Sequence, residues 1–121
     1  MIIDSTDLAG PEDPGLRRPA VSVARGNIYL ERETCDAYFA STVAVALIVR
    51  DDDVLIVPLT AESGGGLLLK VRNARGDRVI HAQEFFRQND LVEDWDARVV
   101  VARWSEQWAA MLVSGIPRIA H

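Results

Sequence analysis

Five basic side chains, Lys70, Arg72, Arg75, Arg78 and Arg87, fall within eighteen positions, with Asp77 and Glu84 between them as partial offset. Their local formal balance is +3 in a chain whose total is -5. If Lys70, Arg72 and Arg78 shared one face of a hairpin, they could grip phosphate oxygens through ion pairs and charge-assisted hydrogen bonds. A solvated strand face that guards a sheet edge uses the same residues. His81 and Glu84 lie about one helical turn apart, where they could share a proton or offer two ligands to a metal. Zinc and iron sites usually need three or more ligands, so the pair is incomplete alone. The plainer role is a polar helix start, with Glu84 complementing the helix dipole.

Other residues carry weaker chemistry. Cys35 is the single cysteine. With Tyr38 and Phe39 at i+3 and i+4, it reads as a buried thiol and not as a nucleophile. Asp51-Asp52-Asp53 offers carboxylates but lacks the glycine and glutamate of a calcium loop, so it reads as a hairpin tip. Gly64-Gly65-Gly66 runs into Leu67-Leu68-Leu69, a strand, and not into the Lys and Ser or Thr of a phosphate loop. Arg75-Gly76-Asp77 spells an adhesion tripeptide that turn chemistry accounts for. Trp95, Trp104 and Trp108 cluster late in the chain. Trp104, Trp108 and Met111 at helical spacing form a candidate interface. His121 is terminal.

These residues need a scaffold, and the composition bounds it. The chain has 121 residues, 49% of them hydrophobic and 26% charged, which fits one domain with a real core. The acidic total disfavours nucleic acid as the default partner. One cysteine excludes an internal disulfide and suits a reducing compartment. The start, Met1-Ile2-Ile3-Asp4, lacks the basic opening of a secretory signal. The longest apolar run, Val43 to Val49, is far short of the roughly 20 residues that span a bilayer. The expectation is a cytoplasmic protein.

Pro11, Pro14 and Pro19 mark residues 1–19 as an irregular arm before a single β-rich domain over 20–121. Val21 and Val23, then Ile28 and Leu30, alternate with more polar neighbours around Gly26, which predicts a hairpin. Thr34 to Ala40 is either a short helix capped by Thr34 or a bend. Thr42 to Arg50 and Val54 to Leu59 predict a second hairpin, with Pro58 at an edge or bulge. Leu67 to Arg72 and Arg78 to His81 predict a third. Gln83 to Gln88 reads as a helix with Phe85 and Phe86 inward. Ala97 to Arg103 reads as a strand. Ser105 then caps a last helix that ends at Gly115 and Pro117. No internal repeat is evident. The expected fold is mainly β: about seven antiparallel strands in a meander that forms a sandwich or partly open barrel, with two short helices, the last near the C-terminus.

The stretch from about Leu68 to Val101 runs strand, tight turn, strand, short helix, strand. It resembles the swapped-hairpin half-barrel of AbrB-type transition-state regulators. Gly76-Asp77-Arg78-Val79-Ile80 stands where that family has a glycine turn before an apolar strand. His81-Ala82 stands where the family typically places a proline. The resemblance implies a dimer that binds DNA.

Three functions follow as expectations. The first is a non-catalytic binding or accessory protein without a cofactor, acting through protein–protein contacts as a homodimer or on another protein. The second is a DNA-binding regulator using the basic hairpin at 67–87. The third is a small-ligand binder or enzyme with a pocket near His81 and Glu84.

Overall fold

A computed structural model describes residues 19–60, 65–93 and 97–119. All but the last residue of the expected N-terminal arm lies outside these, as do Gly64, Trp95 and His121. The described elements are β1 (Val21–Ala24), β2 (Asn27–Leu30), α1 (Arg32–Tyr38), β3 (Ala44–Arg50), β4 (Asp53–Leu59), β5 (Leu67–Leu68), β6 (Lys70–Val71), β7 (Arg78–His81), α2 (Gln83–Gln88), β8 (Arg98–Ser105) and β9 (Ala110–Ser114). The fold is mainly β, as the alternation requires. Nine antiparallel strands lie in the order β5-β3-β4-β9-β8-β1-β2-β7-β6. The two ends of this order, β5 and β6, are consecutive pieces of one segment that bends at Leu69. One piece pairs with β3 and the other with β7. The sheet therefore comes round on itself as a barrel.

Period-two alternation decides the inside. Val21, Val23, Ile28, Leu30, Val45, Val54, Ile56, Ile80, Met111 and Val113 form one buried cluster, which Cys35 and Phe39 of the α1 segment and Ala82 and Phe86 of the α2 segment complete. Successive strand residues point to opposite faces, so one apolar set fixes every register. Arg25 and Gly26, with φ of 54° and 80°, make the β1–β2 turn. Two positive φ values match the twist of a two-residue hairpin. Pro58 lies where β4 has lost one neighbour, because the β9 register ends opposite Ile56.

Two expectations are corrected. The predicted C-terminal helix is the β8–β9 hairpin. Trp104 and Met111 share a face because they are cross-strand partners. The four-residue turn between Ser105 and Ala110 supplies the spacing that imitates a helix. The Ser105 hydroxyl accepts from the Trp108 N–H at 3.2 Å, closing this turn instead of starting a helix. The two helices are thus at 32–38 and 83–88, the first without a side-chain cap from Thr34.

The second correction concerns repetition. The chain runs hairpin, helix, hairpin twice: β1-β2-α1-β3-β4, then β6-β7-α2-β8-β9. Ala24-Arg25-Gly26 and Ala74-Arg75-Gly76 stand fifty residues apart at equivalent turns. Strands β2 and β7 pair antiparallel with the equivalent residues Tyr29 and Val79 opposite each other. A local two-fold axis therefore passes between them. Each turn abuts the other repeat's helix. A Cβ on Gly26 would lie 2.8 Å from Gln83 Cγ, and one on Gly76 would lie 3.2 Å from Arg32 Cδ.

Candidate functional site

The second repeat's turn is the longer one. Arg72 and Asp77 are joined by a backbone hydrogen bond of 2.8 Å, leaving four residues between them where the first repeat has two. Asn73 Oδ1 accepts from the N–H groups of Gly76 and Asp77, both at 3.1 Å. Asp77 is 6% exposed and saturated. Its Oδ1 accepts from the Arg32 N–H at 2.9 Å, at the first turn of α1. Its Oδ2 accepts from Asn73 Nδ2 at 3.0 Å and from Arg75 Nη2 at 2.7 Å. Hydrogen bonds from Arg75, Asn73 and the Arg32 backbone hold this carboxyl far below the usual carboxylate range. The adhesion-like tripeptide is thus closed on itself: its two charged ends pair with each other.

The basic residues do not share a face. Arg78 lies opposite Leu30 on the inward side of β7, and its guanidinium donates to the carbonyls of Thr42 and Leu69 at the seam of the barrel, at 3.4 and 3.5 Å. Lys70 pairs opposite Val79 on the outward side. Arg72 lays its guanidinium over the Tyr29 ring, 4.4 Å from the centroid. Arg87 pairs with Glu93 at 2.9 Å. Of these five, only Lys70 and Arg72 keep an outward cation without an ion pair among the described residues.

His81 and Glu84 are both exposed, and no hydrogen bond between them is present. His81 Nδ1 instead meets Asn27 Oδ1 at 3.3 Å. Among the described residues no three of His, Cys, Asp and Glu stand together as metal ligands. Cys35 is buried, and burial pushes its thiol up to about 11. Of the three expected interface residues, Met111 is fully buried in the core and Trp104 stacks on Tyr38 at 5.4 Å, edge-on to Phe39. Met111 thus packs inside the barrel and Trp104 against the α1 segment. Trp108 is exposed, with the Arg50 guanidinium 4.3 Å from its ring centre. At the Asp51–Asp53 tip, Asp53 accepts from the Ser114 hydroxyl at 2.7 Å and the Asp51 carbonyl accepts from Arg118 at 2.7 Å.

The structure gathers residues that the sequence keeps far apart. Ser22, Tyr29, Glu31, Arg72, Arg75, Asp77 and Val99 line an open cleft of about 160 Å³ over β1, β2 and the long turn. Beside it, β8 turns Val99 and Val101 outward, 81% and 68% exposed. Farther round, Leu55, Ala110 and Leu112 form a second buried cluster on the outward side of β4 and β9. Local periodicity marks Val99 and Val101 as one face but cannot say that the face is external. The recurrence of Ala-Arg-Gly was the available signal for the repeat, and hence for the turn that builds the cleft.

No protein-family model, curated protein or solved structure matches this chain. No helix among the described residues is long and apolar enough to cross a membrane.

Proposed function

We propose that the protein is a non-catalytic binding protein that acts through protein–protein contact, and that the outward face of β8 is the contact surface, engaged first by a second copy. One observation carries this: Val99 and Val101 stand 81% and 68% exposed on the longest described strand. Charged or polar side chains would normally fill such outward positions. Ile48, on the outward side of β3, is exposed separately: the outward row between it and β8 runs through the buried Leu55 and Leu112 to Arg103. Val99 and Val101, adjacent on one face of β8, make a paired apolar feature of the kind that marks interaction sites, whereas single exposed hydrophobic residues do not.

Duplex DNA is the weaker partner. Arg78 and Arg75 are committed within the chain, and the net charge of -5 opposes a polyanion. Light scattering over a concentration series tests the proposal. The wild-type chain should reach a dimer mass, and Val99→Lys with Val101→Lys should remain monomeric with an unchanged far-UV spectrum. A wild-type monomer at every concentration would overturn it.

A further inference from the structure

The repeat provides an internal control for the cleft. At the places equivalent to Tyr29 and Glu31, the second repeat has Val79 and His81. At the place equivalent to the long turn, the first repeat has the two-residue turn Arg25-Gly26. The cleft therefore exists where the two halves differ. Core packing does not require the difference, because both hairpins bury their apolar faces in the same cluster.

The lining separates into an apolar and an ionic side. Val99 and the Tyr29 ring supply the apolar side. On the ionic side, Asp77 and Arg75 neutralise each other at 2.7 Å. Two groups of opposite sign are left. Arg72 spends the face of its guanidinium on Tyr29, so its N–H edge stays available as a planar donor fork. Glu31 makes no side-chain hydrogen bond or ion pair among the described residues, though the Arg75 charge lies near it, and it lines the same cleft. A plain carboxylate on Arg72 would face the charge of Glu31. A ligand that also carries an ammonium group turns that charge into a partner.

From this arrangement we propose that the cleft binds a small zwitterion of the α-amino acid class with an apolar side chain. The carboxylate lies on Arg72, the ammonium group on Glu31 and the side chain against Val99 and Tyr29. Charge-assisted hydrogen bonds at both ends set the selectivity, since each is about twice as strong as a neutral one. The cleft, about 160 Å³ and open to one side, has room for a molecule of this size.

Titration calorimetry and amide chemical shifts test the site with L-leucine and L-phenylalanine as probes. Saturable binding is expected, with shifts confined to residues around Ser22, Tyr29, Arg72 to Asp77 and Val99. N-acetyl-L-leucine and L-leucinamide, each lacking one charge, should bind about tenfold or more weakly, as should L-leucine to Arg72→Gln and Glu31→Gln. Arg103→Gln, on β8 outside the cleft lining, should bind as wild type. Because Val99 belongs both to the cleft and to the proposed contact face, the titration is repeated on Val101→Lys at a concentration where light scattering gives a monomer mass. Absence of saturable binding up to roughly 10 mM would overturn the proposal, as would equal affinity for leucine and both derivatives.

Discussion

Asp77 ties three parts of the chain together. Its oxygens accept from the start of α1, from Asn73 and from Arg75. Removing it leaves partly buried donors without an acceptor, which costs more than the bonds themselves contributed. Its carboxyl is held well below the ordinary aspartate value of about 3.9. As pH falls, the unfolded chain therefore takes up the proton first. The stabilisation is complete above about pH 4 and is lost as pH drops further. Asp77→Asn should lower the melting temperature at neutral pH and flatten the loss of stability on acidification. Thermal melts of both proteins between about pH 7 and pH 2.5 check this. Parallel acid profiles would show that Asp77 is not the group responsible. Nothing local in the sequence announced this role. Asn73 to Asp77 was legible as a turn, but Arg32, the donor on α1, is 45 residues away.

Among the elements, most boundaries followed from local rules. Alternation marked β1 and β2, unbroken Val- and Ile-rich runs on either side of a polar break marked β3 and β4, and the turn before it marked β7. Two substitutions separate packing from backbone effects. Phe86, fully buried in α2, should cost about 3–5 kcal/mol when replaced by Ala, through lost burial plus the cavity left behind. Gly26→Ala should cost about 1–2 kcal/mol, because φ is 80° there and the added Cβ would press on Gln83. Denaturant titration of the three proteins should rank them in that order. A neutral Gly26→Ala would mean that the β1–β2 turn does not need the left-handed conformation. The β8–β9 hairpin was misread because a cross-strand pair on either side of a four-residue turn mimics helical spacing. Trp104 and Met111 fit a helix face and a hairpin face equally well until their partners are known.

For the molecule as a whole, the two repeats are interleaved and not stacked. Strands β2 and β7 pair across them, as do β4 and β9, and β1 and β8. Neither half can complete its share of the sheet alone. Calorimetry should therefore record one transition whose measured and van't Hoff enthalpies agree. Two resolved transitions would contradict the interleaving.

The sequence by itself determined that this chain is a mainly β protein with short helices and turns at its polar breaks. Those features depend on residues only a few positions apart. It also made Cys35 a core thiol and the Arg75–Asp77 tripeptide a turn. Only the tertiary structure decided which apolar face is internal, where Arg78 points, and that Ser22, Tyr29, Glu31, Arg72 and Val99 meet in one cleft. Side-chain direction alternates along a strand whatever its surroundings. Which direction is inside depends on partners supplied by distant segments, and the periodicity of a single strand carries no record of them.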